Sequence, residues 1–143
     1  DGKFATSDGK AHFSSVVPKE RRVGRGMFFV STRRGKQFNS MVHAFIDPLT
    51  GASRNDVVIS RQDAERLGLR EGDPIRLASS CGSFDGRARI DRIKPGNLEV
   101  HWPEGNCLLS REELDIASRE PDYNALVQLE KTESTANAAS KTR

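Results

Sequence analysis

Alternation of apolar and polar positions, rather than a helical repeat, dominates this chain. The run MFFV at 27–30 and the run DVVI at 56–59 have the length of buried strands, and each passes into polar residues with hydroxyl or basic groups. At 74–78, PIRLA places Ile75 and Leu77 on one face of a third strand. Further short strands are expected through Ala88 and Ile90 and at 98–101, joined by a turn at KPGN (94–97), and a last strand at 125–130 follows Pro121. Two brief helices interrupt them. Ser60-Arg61-Gln62-Asp63 has the form of a capping box, Ala64 and Leu67 supply one apolar stripe, and Gly68 stops the helix after about two turns. Ser110 to Glu113 is a second capping box, predicting a short helix to about Ala117.

Residues 1–25 carry only isolated apolar anchors at Phe4, Phe13, Val16 and Val17, the pattern of an extended lead-in laid over a surface. Residues 131–143 offer only alanines as apolar residues and are expected to form a flexible tail. The folded unit is then 26–130, mainly β with short helices, and a small β-barrel fits it better than a layered α/β fold. No internal repeat is visible. A domain of 143 residues can bury about two thirds of its unfolded surface, so a core is possible without disulfides or metal. No apolar stretch approaches the roughly 18 residues of a membrane span.

Charge sharpens this picture. Residues 1–36 hold nine Lys/Arg against three Asp/Glu, residues 37–130 eleven against sixteen, and 131–143 three against one. A basic first quarter beside an acidic remainder points to a local anion site and away from a nucleic-acid surface, which spreads basic charge along a face. Cys81 and Cys107 are the only cysteines, with no C-x-x-C, and His12, His43 and His101 are scattered, so a Cys/His metal site has no pattern behind it. Two isolated cysteines are expected to be buried thiols. The chain starts at Asp1 with no signal-peptide pattern and reads as part of something longer, any targeting signal then lying upstream; the default compartment is the cytoplasm.

Three clusters carry candidate chemistry. STRRGKQFNS (31–40) leaves a buried strand with three cations, hydroxyls, two amides and a glycine, the donors that a phosphate or pyrophosphate recruits; a solvated basic hairpin tip has the same composition. Gln37 and Asn39, alternate amides, are suited to the edge of a base or pterin. VHWPEGNCLL (100–109) breaks a strand at Trp-Pro, and its Trp102 and His101 fit a planar-ligand wall or, as readily, a capped core. PDYNA (121–125) places Tyr123 and Asn124 at the mouth of the last strand. No G-x-S-x-G, P-loop or G-x-G-x-x-G is present.

In this order the blocks GMFFVSTRRGKQFNSM (26–41), DPLTGASRNDVVISRQDAERLGLREGDPIRL (47–77), KPGNLEVHWPEGN (94–106) and EPDYNALVQLE (120–130) resemble the carboxy-terminal domain of molybdopterin-dependent oxidoreductases of the dimethyl sulfoxide reductase superfamily, nearest the formate dehydrogenase-like branch. The resemblance implies a double-psi β-barrel, similar to that of aspartate decarboxylases, closing over a bis-molybdopterin guanine dinucleotide with molybdenum or tungsten. It places Thr32, Arg33, Gln37, Phe38 and Asn39 in a first cofactor loop, His101 and Asn106 in a second, and Tyr123 with Asn124 in a third. Relatives often carry lysine at Asn124, and some an acid at Arg34. The metal ligand, catalytic His and Arg and iron-sulfur cysteines of such enzymes lie upstream, so the resemblance implies no catalytic or metal-ligating residue here. The implied partners are the upstream catalytic domains of the same polypeptide, with no nucleic acid and no membrane span.

Two other functions compete. Double-psi barrels also serve as stand-alone adaptor modules, since a barrel does not specify its ligand. Aspartate decarboxylases cleave a Gly-Ser bond, and Gly82-Ser83 is present, though as an ordinary turn pair. On the oxidoreductase reading the isolated chain is expected to turn over neither formate, nitrate nor sulfoxides. Substrate-dependent electron transfer from the purified chain to a dye would contradict that reading.

Overall fold

The computed structural model describes residues 2–15, 17, 23–35, 44–112 and 114–133. Six strands carry the fold: β1 (Met27–Arg33), β2 (Asp56–Ile59), β3 (Pro74–Ala78), β4 (Ser83–Ile90), β5 (Asn97–His101) and β6 (Asn124–Lys131), with helix α1 (Arg61–Leu67) between β2 and β3. They close into a barrel in the order β1-β5-β2-β4-β3-β6. β1 runs parallel to β5 and β2 parallel to β4, while the other four pairs are antiparallel. Exchanging β1 with β4, β2 with β5 and β3 with β6 leaves this order and these directions unchanged. That internal two-fold of the double-psi barrel has no counterpart as a repeat in the sequence.

The alternation seen in the sequence is the inside and outside of the barrel. Phe28, Val30, Val57, Ile59, Ile75, Leu77, Leu98, Val100 and Val127 point inward and form one buried cluster with Ala64, Leu69 and Leu108. Glu99 and the arginines at 76, 87 and 89 occupy the outward parity of their strands. Closure pairs every strand on both sides, which removes the free edges that invite aggregation.

Helix α1 begins and ends as its residues require. Ser60 Oγ accepts the Asp63 N–H at 3.1 Å, and Gly68 ends the helix at φ 64°. The Asp63 carboxylate does more than cap. It accepts the Ser60 hydroxyl, the Arg66 guanidinium and the Gly96 N–H, each at 2.7 Å, and so ties the helix to the turn that launches β5.

Elsewhere the structure departs from local expectation. Residues 110–112 and 114–117 contain no helix; Leu114 and Pro121 instead form an isolated bridge, and the Asp115 carboxylate accepts the N–H groups of Ala117 and Ser118. Leu114 and Ile116 are two residues apart, a spacing that cannot give a helix an apolar stripe, and both stay exposed. A 3-10 helix at Glu104–Leu108 was not apparent from the sequence. Its Gly105 is buried against Val100 and Thr32, where a Cβ would collide with Val100 Cγ2. Both cysteines are exposed, against the expectation of buried thiols, because Cys81 sits in the β3–β4 turn and Cys107 on the 3-10 helix, both outside the inward rows of the strands. Phe13 and Val17 of the lead-in are also exposed. No helix among the described residues is long and apolar enough to cross a membrane.

Burial pushes the Asp63 carboxyl up, but hydrogen bonds from Arg66, Gly96 and Ser60 and the Arg66 charge outweigh it and hold its pKa below the ordinary carboxylate value. A depressed folded pKa contributes stability that is present above the unfolded carboxylate value of about 4 and lost as pH falls through the folded value. Asp63→Asn is expected to cost about 1.5–3 kcal/mol at neutral pH, read as a lower urea midpoint at constant slope, and to flatten the acid limb of the stability profile. An unchanged midpoint would show that the three-way joint is dispensable.

Candidate functional site

Thr32, Arg33, His101 and Tyr123 meet at one end of the barrel because β1 lies between β5 and β6. Arg33 pairs in register with His101 on β5, and Ser31 with Asn124 on β6. The Thr32 N–H donates to the Tyr123 carbonyl at 3.2 Å, and the Trp102 N–H to the Arg33 carbonyl at 2.7 Å. Residues far apart in sequence thus become backbone neighbours.

Strand pleat then divides them. Thr32 and Arg34 continue the inward row of Phe28 and Val30 past the barrel end. There they line a cleft of about 360 Å³ with Trp102 and Tyr123. The Arg34 guanidinium lies over the Trp102 ring, 5.2 Å from its centroid. Arg33 points outward instead, its Nη1 3.2 Å from Glu99 Oε1, into a smaller pocket on the barrel wall with His101, Arg89 and Arg92.

The loop from 44 to 55 roofs that wall pocket. Arg89 holds it by donating to the Gly51 and Thr50 carbonyls, at 3.1 and 2.5 Å. Arg54 forms an ion pair with Glu104, which joins the loop to the 3-10 helix. Beneath the roof His101 is buried although it stands on the outer face, and among the described residues its Nδ1 has no hydrogen-bond partner. Desolvation lowers its pKa, the Glu99 charge opposes this, and the Arg33 charge adds to it. Burial and the Arg33 charge thus favour the neutral imidazole.

Two further candidates stand apart. Asn106 lies exposed on the 3-10 helix and lines neither pocket. Asn124 faces outward, where its Oδ1 accepts the Ser31 hydroxyl and its Nδ2 donates to Asp122, both at 2.8 Å, beside a separate cleft lined by Ser79, Ser80, Cys81 and Ser110. Gln37, Phe38 and Asn39 fall outside the described residues. Two members of the mouth cleft, Arg34 and Trp102, were not among the residues assigned to cofactor contact from the sequence. Parity was the signal that could have found them: if Thr32 lines the mouth, so does Arg34, and Trp102 follows inward-facing Val100. Among the described residues no group of three or more His, Cys, Asp or Glu is placed to hold a metal ion.

A family model described as the molydopterin dinucleotide binding domain matches residues 27–142. The chain is 28% identical over 115 residues to dimethyl sulfoxide reductase DmsA of Escherichia coli (strain K12), covering 68% of this chain and 14% of the reductase. It is 30% identical over 83 residues to the molybdopterin-containing subunit ArrA of the arsenate respiratory reductase of Chrysiogenes arsenatis, covering 55% of this chain and 10% of that subunit. Among solved structures, acetylene hydratase from Pelobacter acetylenicus shares the fold, with a TM-score of 0.57 at 17% identity over 73% of this chain and 18% of that one. The chain therefore spans a small part of the length of the relatives it matches.

Because its pKa is lowered, His101 is expected to titrate below the ordinary histidine value of about 6.5, observable in its ring resonances by NMR. The same depression contributes stability that is present above about pH 6.5 and lost as pH falls through the folded value. An ordinary or raised midpoint would show that the roof over His101 is open in solution.

Proposed function

The chain belongs to the molydopterin dinucleotide binding domain family, and we propose that it closes over a bis-molybdopterin guanine dinucleotide in a formate dehydrogenase-like molybdenum or tungsten oxidoreductase. The observation that carries this reading is the convergence, at one barrel end, of the Arg33 and Arg34 guanidiniums, the Thr32 hydroxyl, the half-open Tyr123 and a buried imidazole with an unpartnered nitrogen. These donors suit a polyanionic dinucleotide with a hydrogen-bonding bicyclic ring at each end.

In this reading Arg33 binds a pyrophosphate or pterin polar edge, and Glu99 restrains its guanidinium before the ligand arrives. An imidazole held toward its neutral form offers a ring N–H without adding a further positive charge to a pocket that already holds Arg33, Arg89 and Arg92. Thr32, Tyr123, Asn106 and Asn124 complete the contacts, with Gln37, Phe38 and Asn39 supplied by the segment that follows β1. The bound cofactor supplies the redox-active metal. This chain contributes binding, orientation and exclusion of water, and the upstream domains contribute the metal ligand and the choice of substrate.

A charge-assisted hydrogen bond contributes about 1.5–3 kcal/mol, so Arg33→Ala in the full-length enzyme is expected to weaken cofactor retention by about tenfold to a hundredfold. Arg33→Lys should recover only part, since an ammonium keeps the charge and loses the planar fork. Metal and guanine nucleotide content of the purified variants measures this, with thermal unfolding as the control for an intact barrel. Full occupancy in Arg33→Ala would sink the assignment of the first loop.

A further inference from the structure

The two cysteines lie outside the mouth cleft and the wall pocket, both as exposed free thiols. Distant in sequence, they stand on stretches of backbone that the fold presses together. Cys81 is in the turn between β3 and β4, where Ser79 Oγ accepts its N–H at 3.0 Å and that of Gly82 at 3.2 Å. Cys107 is on the 3-10 helix, which packs on the same turn. A Cβ on Gly82 would come within 2.5 Å of the Cys107 carbonyl oxygen and 3.9 Å of Cys107 Cβ. The Cys107 thiol in turn faces the Ser83 carbonyl at 3.3 Å. Cys107 therefore rests on the two residues that directly follow Cys81.

We propose that Cys81 and Cys107 form a dithiol site that a small-molecule disulfide oxidises to an intrachain bridge, latching the β3–β4 turn to the 3-10 helix. A disulfide joins Cα atoms about 4.4–6.8 Å apart. Glycine at 82 lets the helix approach the turn closely, and Cys81, beside that contact and exposed, has room to swing toward it. The exchange runs in two steps. The Cys81 thiolate attacks one sulfur of the small disulfide, and the other half leaves as a thiolate and takes up a proton. The Cys107 thiol then loses its proton, its sulfur attacks Cys81 Sγ, and the second half is expelled. Two protein thiols are oxidised and one small disulfide is reduced to two thiols. Cys81 is the entry point, because burial raises the Cys107 pKa and the Cys107 thiol is donated to the Ser83 and Glu104 carbonyls, which disfavours its thiolate. The helix also carries Gly105 against Val100 and Thr32, so the latch braces the segment packed behind the end of β1.

Oxidised glutathione is the probe, incubated with the full chain and read by intact mass and by mapping of unreduced tryptic peptides. The expected product is a monomer lighter by two hydrogens, free of glutathione, whose map joins the Cys81 peptide to the Cys107 peptide. Dithiothreitol should restore the starting mass. Cys107→Ser, a substitution at an exposed position, should stop the reaction at a glutathione adduct on Cys81. Amide exchange across the 3-10 helix should slow in the oxidised native chain and stay unchanged in Cys107→Ser carrying the adduct. Glutathione left on both cysteines, a disulfide-linked dimer, or two thiols that stay free while the amide signals remain dispersed as in the reduced chain each overturn the pair. Exchange in the helix that is indifferent to the bridge overturns the latch. The test does not depend on cofactor binding, so the Arg33 retention measurement stands apart from it.

Discussion

β1 has to satisfy two neighbours at once, a parallel one in β5 and an antiparallel one in β6, and the barrel closes only when both ladders form. Its backbone groups would otherwise form an open edge, and its inward Phe28 and Val30 would lose the walls that bury them. These pairings join segments about 70 and 97 residues apart, so loop-closure entropy opposes them until the inward rows interlock. The functional end of the molecule is a by-product of this closure. Thr32, His101 and Tyr123 become neighbours because their strands hydrogen-bond to one another.

Given closure, strand pleat sorts the chemistry. Consecutive arginines at 33 and 34 face opposite sides of one strand end and acquire different environments: a carboxylate and a buried imidazole for the first, an indole face for the second. The same alternation separates Tyr123, at the mouth, from Asn124, whose amide is engaged by Ser31 and Asp122 on the wall. A cluster that is uniformly basic in sequence is therefore divided in space between the wall pocket and the mouth cleft.

Small joints keep the strand ends in place. Asp63 couples α1 to the start of β5, and thus to the strand that delivers His101 and Trp102. Arg89 and the Arg54–Glu104 pair hold the 44–55 loop over the wall pocket and link it to the 3-10 helix. In the second of these joints Glu104 Oε2 is buried without a hydrogen-bond partner among the described residues. Nδ1 of His101, beneath the same roof, is likewise buried without a hydrogen-bond partner among the described residues.

Much of this was legible along the chain. Short apolar runs and alternation identified the strands, the Ser60 box and Gly68 bounded the helix, and the polar runs that follow β1 and β5 were visible as clusters, because each of these signals is local. What needed the tertiary structure is non-local. Parallel pairing of β1 with β5 and of β2 with β4 leaves no mark on the periodicity of either strand, so the internal two-fold was invisible in a sequence without a repeat. The capping box at Ser110 failed because Leu114 and Ile116 had no core to face, and local capping cannot sustain a helix alone. Burial of His101 depends on a loop pinned by Arg89 from a different strand, and the contrast between Arg33 and Arg34 depends on which side of a strand the barrel closes. Local patterns specify which elements form; only the packing of distant segments decides which side chains share a pocket.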